Sequence, residues 1–141
     1  MLTNTKLLKA VAKQKKTTFI STGMSSFKQI ENAVKIFRKN NCPFELMHTV
    51  STYPTNDKDA NLNMIKGLRK NFEDILIGYS DHTKPDKSML ILTMAYLNGA
   101  QVIEKHFTDN KELPGTKKKQ QLRNVVAFHL GDDLYANANT C

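Results

Sequence analysis

Two hydrophobic patterns alternate along the chain. Residues 17–22, 44–49, 75–79 and 101–106 are short runs rich in β-branched, aliphatic and aromatic side chains. They read as strands buried on both faces. Between them, apolar residues recur every three or four positions, as on one face of a helix. Phe27, Ile30, Val34 and Phe37 form one such stripe, and Leu62, Ile65, Leu68 and Phe72 another. Leu90, Met94 and Leu97 form a third, in a helix opened by Pro85-Asp86 and closed by Asn98-Gly99. Leu7, Leu8, Val11 and Ala12 predict a further helix ahead of the first strand. Ser26, followed three residues later by Gln29, has the form of a reciprocal N-terminal cap.

The predicted order is αβαβαβαβ. Such alternation argues for a parallel sheet joined by crossover helices, because parallel neighbours need a long return connection. The expected fold class is therefore α/β, built of parallel β/α units. Four strands of this kind leave two unpaired edges, which seek partners. The segment 117–141 departs from the pattern. It opens with Lys117, Lys118 and Lys119, and only Leu122, Val125, Val126 and Leu130 suggest an apolar face. It is expected to be a tail, with Leu122, Val125 and Val126 available to cover one sheet edge.

Composition narrows the class. The 141 residues are 40% hydrophobic and 24% charged, in the range of an ordinary soluble domain. The longest apolar runs fall far below the ~20 residues of a membrane span, so no membrane association is expected. The N-terminus lacks the apolar core of a signal peptide. Cys42 and Cys141 are the two thiols, too few for a disulfide framework, and a reducing cytoplasm is the expected location. The formal net charge of +8 points to an anionic partner. Nucleic acid is not favoured, since there is no tryptophan, no zinc-finger spacing and no interleaving of aromatic with basic residues.

The chemistry-bearing residues cluster by position. The first strand ends in Ser21-Thr22-Gly23 and the second in His48-Thr49-Val50-Ser51-Thr52-Tyr53-Pro54. The third ends in Ser80-Asp81-His82-Thr83 and the fourth in Glu104-Lys105-His106. In parallel α/β folds ligands bind at the carboxyl ends of strands, where loops converge. His82 and His106 end neighbouring strands and can share one Mn²⁺, Zn²⁺ or Fe²⁺ ion; alternatively, each bonds to its own loop. Ser21, Thr22, Ser51 and Ser80 can hold a phosphate or carboxylate, or cap helices. Asp81 and Glu104 can orient a histidine or meet substrate hydroxyls. Glu104 can equally be a buried carboxylate paired with a lysine on a neighbouring strand. His48, inside its strand, reads as a core or supporting residue.

At these positions the chain resembles the sialic acid (N-acetylneuraminate) synthases and their legionaminate- and pseudaminate-forming relatives. The ordered segments are Ile20-Ser21-Thr22-Gly23-Met24, His48 through Pro54, Asn61-Leu62-Asn63, Gly78 through Thr83, and Val102 through Thr108. The resemblance runs over about residues 4–116, and implies the C-terminal half of a TIM-type (β/α)₈ barrel. It implies condensation of phosphoenolpyruvate with an N-acetylated amino sugar to a nine-carbon 2-keto acid and phosphate. By the same resemblance His82 and His106 hold a divalent metal, Mn²⁺ or Mg²⁺. Ser21, Ser51 and Ser80 contact phosphoenolpyruvate, Tyr53 lines the sugar site, and Glu104 joins Tyr53 in the catalytic set.

The expected division is a partial synthase barrel over residues 1–116 and a divergent tail over 117–141. Thr116-Lys117 follows Pro114-Gly115 where the family has a proline and a substrate-binding acidic residue. The family's first four strands, and its small C-terminal antifreeze-like domain, have no counterpart here. The expected partner is therefore a second copy of the chain or a complementary N-terminal half, with the chain inactive by itself. The alternative is a non-catalytic remnant or interaction module of a split or truncated barrel.

Overall fold

The structure is a computed structural model that describes residues 2–85, 87–107 and 124–130. Four β/α units run in the expected order. Helix α1 (Thr5–Ala12) precedes strand β1 (Thr18–Ser21), α2 (Phe27–Lys39) precedes β2 (Phe44–Thr49), α3 (Asn63–Asn71) precedes β3 (Ile77–Asp81), and α4 (Leu90–Leu97) precedes β4 (Val102–Phe107). These four strands pair in parallel in sequence order. A fifth strand, β5 (Asn124–His129), pairs antiparallel with β4.

Local chemistry sets the helix boundaries. Ser26 caps α2 by accepting from the Gln29 amide, while the Gln29 side chain accepts from the Ser26 amide, so two otherwise orphaned donors are satisfied. Asn4 caps α1 through the Leu7 amide. Helix α3 starts at Asn63, after a 3₁₀ turn at Asp57–Asp59.

Helix α4 corrects the reading of its sequence. It begins at Leu90 rather than at Pro85, because Met89 adopts a left-handed backbone (φ 49°) that breaks the helical run. Its buried face is Ile91 and Ala95, and the expected stripe of Leu90, Met94 and Leu97 is exposed.

The strands sort their side chains by alternation. Ile20, Leu46, Ile77, Tyr79 and Ile103 pack with Leu8, Val34, Phe37, Ile65 and Ile91 into one core between sheet and helices. The register puts Ile20, Leu46 and Ile77 on one rung and His48, Tyr79 and Ile103 on another. The opposite face carries Phe19 and Ser21, then Met47 and Thr49, then Gly78 and Ser80, then Val102 and Glu104. A methyl group at Gly78 would fall 2.4 Å from the Met47 sulfur, so this face is tightly packed at its centre.

That second face is concave, and strongly so. Strands β2 and β5 have two strands between them, which in a flat sheet would separate them by ~14 Å. Yet the His129 Nε2 of β5 lies 2.7 Å from Glu45 Oε1 of β2. The His129 ring is also 6.1 Å from Phe19 of β1. The sheet therefore curls as a segment of a barrel wall, and β5 folds over its lower, amino-terminal end. The β4 edge is occupied by β5, which contains Val125 and Val126, so the tail covers one edge as its apolar residues allow. Among the described residues no strand pairs with the outer edge of β1. None of the described helices is long and apolar enough to cross a membrane.

Candidate functional site

The carboxyl ends of β1 to β4 bring the predicted residues to one rim. Strand β3 runs two residues further than its apolar run predicts, so Ser80 and Asp81 lie within it and not after it. Alternation then sends Ser80 to the concave face and Asp81 to the helix face. The segment after β2 crosses to the segment after β3: Thr55 and Thr83 form a parallel bridge, and the Thr55 amide donates to the His82 carbonyl at 2.8 Å. This crossing lays Tyr53 against the histidines.

Tyr53, His82 and His106 form a three-ring cluster. The two imidazole centroids are 5.5 Å apart, and Tyr53 stands edge-on to both, at 5.2 Å from His82 and 5.5 Å from His106. His82 Nδ1 lies 2.8 Å from the Val50 carbonyl. A carbonyl can only accept, so Nδ1 carries the proton and Nε2 is left with its lone pair. Burial, and then the negative charge of Asp81, push the Tyr53 phenol above its ordinary value. The phenol stays protonated through the neutral range and is available as a donor.

Beside this cluster, Ser80 donates to Glu104 Oε1 at 2.7 Å. Asp81 does not orient a histidine. Its carboxylate lies on the helix side, where it accepts from Tyr79 Oη at 3.1 Å and from the Thr83 amide at 2.8 Å, and pairs with the Lys105 ammonium. The histidine is oriented by a main-chain carbonyl instead, a partner with no side-chain signature in the sequence. The partner of Glu104 on the neighbouring strand is thus the Ser80 hydroxyl rather than a lysine. The ion pair of Asp81 with Lys105 was not anticipated, although each directly precedes a candidate histidine.

On the other flank, the turn after β1 packs against the loop after β2. The Thr22 amide and hydroxyl both donate to the Met47 carbonyl, at 2.9 and 3.1 Å. A methyl group on Gly23 would lie 2.6 Å from Ser51 Oγ and 2.8 Å from Thr49 Cγ2. Only glycine lets these two loops touch. Ser21 and Ser51 are both exposed. A cavity of about 490 Å³ opens along this contact, lined by Thr22, Gly23, His48, Ser51, Asn61 and Met64 among others. His48 is buried, with its Nε2 2.9 Å from the Ala60 carbonyl and its ring stacked on Tyr79. It is a core residue, as its place inside the strand implies. Lys117 lies outside the described residues.

A curled parallel β/α sheet with a histidine pair and a hydroxyl-rich rim at its carboxyl ends defines the class as a barrel-type α/β enzyme fold. Comparison with known proteins narrows it. The model of the NeuB family matches residues 1–126, and the chain belongs to that family. It is 38% identical to the N-acetylneuraminate-9-phosphate synthase of Drosophila melanogaster over 84% of this chain and 32% of that protein. It is 36% identical to an N,N'-diacetyllegionaminic acid synthase of Campylobacter jejuni over 86% of this chain and 36% of that protein. The crystal structure of an N-acetylneuraminic acid synthetase from Leptospira borgpetersenii, solved with citrate, superposes with a TM-score of 0.74. It shares 43% identity, over 82% of this chain and 39% of that one. The relatives are sugar-acid synthases, and the chain spans about a third of the length of the curated ones.

Proposed function

We propose that this chain supplies the C-terminal half of a synthase barrel that condenses phosphoenolpyruvate with an N-acetylated amino sugar. The observation that carries the reading is the convergence of Tyr53, His82 and His106 on the concave face, with His82 Nε2 left free as a donor of its lone pair. In this reaction C3 of phosphoenolpyruvate adds to the aldehyde carbon of the open-chain sugar. The aldehyde oxygen takes up a proton, water adds at C2, and phosphate leaves.

The donor set fits a divalent ion. His82 and His106 would hold it, with the remaining positions open to water or substrate oxygens. Two imidazoles favour Mn²⁺ over Mg²⁺, which prefers oxygen ligands. No group of three or more metal-ligating side chains occurs among the described residues. Such an ion supplies Lewis-acid polarisation of the aldehyde.

The protein's own groups do the rest. Ser21, Ser51 and Ser80 line the rim for the anionic substrate, and Tyr53 offers its phenolic proton to a sugar oxygen. Glu104 holds the Ser80 hydroxyl, so contact of Ser80 with an anion requires that proton to turn from Glu104 to the ligand. The buried free thiol of Cys42 agrees with a reducing cytoplasmic setting.

The test is Mn²⁺ titration of the chain and of His82→Ala and His106→Ala. Each variant should lose binding at least tenfold, and equal binding by all three overturns the metal site. The partner we propose is a complementary N-terminal half, or a second copy, docking on the open β1 edge. Phosphate release from phosphoenolpyruvate and N-acetylmannosamine should be absent for the chain alone and appear with that half.

One observation favours the alternative of a non-catalytic interaction module. In a closed eight-stranded parallel barrel the β4 edge receives a parallel strand, and here β5 holds it in the antiparallel sense. If phosphate release never appears, even when light scattering shows the two halves associated, the interaction module stands.

A further inference from the structure

The ion pair between Asp81 and Lys105 stands directly behind the histidine pair. Asp81 and Lys105 are register partners across β3 and β4. Each is the residue immediately before a candidate metal ligand. Alternation sends the histidines to the concave face and the ion pair to the helix face, so one sits on the back of the other. The Asp81 side chain is 1% exposed and that of Lys105 is 23% exposed.

The pair does more than neutralise charge. One Asp81 oxygen binds the Thr83 amide at 2.8 Å, and the Lys105 ammonium binds the Thr83 carbonyl at 3.1 Å. Thr83 follows His82. Both of its main-chain groups are thus held by the two charged residues, while Tyr79 steadies Asp81 from the strand at 3.1 Å. The backbone on both sides of His82, and the residue before His106, are fixed by one network. A buried ion pair is a poor source of stability, since apolar residues of similar volume often do as well or better. Its directional bonds do supply geometry.

We infer that Asp81 and Lys105 are positioning residues that set the spacing and aim of the His82 and His106 rings from behind the sheet. The inference rests on the metal reading for its consequence, but the positioning itself can be read without metal.

The experiment uses the full chain and the variants Asp81→Asn, Lys105→Met, the double Asp81→Asn/Lys105→Met, and Lys105→Arg. Two readouts apply: the Mn²⁺ dissociation constant, and the ¹⁵N signals of the His82 ring, which report its tautomer. Either single neutral variant should be less stable, because one buried charge loses its partner. The double variant leaves no unpaired charge and should melt near the wild-type temperature. Its Mn²⁺ affinity should nevertheless fall about 10–100-fold, the usual cost of removing support behind a ligand. The His82 ring should pass from a single Nδ1–H tautomer to a mixture.

A double variant with wild-type affinity and a wild-type tautomer overturns the inference and leaves the metal reading intact. If the wild type binds no Mn²⁺, the metal reading fails and the tautomer decides alone. A mixture in the double variant then supports positioning, and a locked Nδ1–H refutes it. Should the double variant not fold, Lys105→Arg decides, because it keeps the charge and changes the head-group geometry. A several-fold loss of affinity or a mixed tautomer supports the inference, and no change in either readout ends it.

Discussion

The two faces of the same four strands differ in how far the chain completes them. On the helix face, Ile20, Leu46, Ile77, Tyr79 and Ile103 are all buried by the chain's own helices. On the concave face the centre closes, with Met47, Ser80 and Val102 buried, but Phe19 is 40% exposed, Ser21 is exposed, and Glu104 and His106 are half-buried. The difference follows from the architecture. Each β/α unit carries the helix that covers its outer face, so that side closes locally. The inner face of a barrel is covered only by strands from across the barrel. The helix face therefore concerns stability, and the concave face is where we propose that ligands and partners act.

The sharpest way to break this comparison is to truncate one apolar residue on each face. Leu46 and Ile77 have no exposed surface. Leu46→Ala or Ile77→Ala should each cost about 2–5 kcal/mol in urea unfolding, the usual price of a core cavity. Phe19→Ala should cost under about 1 kcal/mol, because much of its ring is already in water. Equal costs on the two faces would mean that something, such as a second copy, covers the concave side in solution.

A smaller effect tests the closure of the concave face where β5 meets β2, outside the packed centre of Met47 and Val102. The Glu45 carboxylate is buried, with Oε1 bonded to His129 and Oε2 without a partner among the described residues. His129→Ala strands that acceptor and should destabilise the chain by roughly 1–2 kcal/mol, the lower part being expected because the imidazole is half in solvent. Proteolysis or hydrogen exchange should then show β5 opening before the parallel strands. If β5 stays as protected as β2, its hold on the sheet comes from the β4 ladder alone.

How much of this was legible in the sequence follows the same divide. Periodicity located the four parallel strands and their helices, and the Ser26–Gln29 cap could be read from residue types. These depend on local spacing and on chemistry within one turn. The strand ends also showed which residues would share a rim, because in a parallel sheet every carboxyl end lies on one side. Partner choice was not legible. Asp81 and Lys105 are 24 residues apart, Glu45 and His129 are 84 apart, and the Val50 carbonyl that aims His82 has no side-chain identity. The α4 face was misread because that helix is apolar nearly all round, so spacing could not say which side is buried. The β5 strand was legible only as a few scattered apolar residues, since its antiparallel place depends on an edge that β4 leaves free.

The last prediction concerns His48, which sits on the helix face of β2 and takes no part in the concave chemistry. Burial lowers its pKa below the ordinary imidazole value of 6.5, and the hydrogen bond to the Ala60 carbonyl offsets only part of that shift. The folded chain thus holds the neutral ring while the unfolded chain protonates near 6.5. The stabilising contribution is complete above pH 6.5. As pH falls below it, the unfolded state takes up a proton that the folded state does not, and stability declines until the lowered folded value is passed. Unfolding measured at pH 7.5, 6.0 and 5.0 should show this decline. His48→Gln should flatten the slope while leaving Mn²⁺ binding at pH 7.5 unchanged, because the residue faces away from His82 and His106. A slope that survives the substitution would overturn the assignment of this pH dependence to His48.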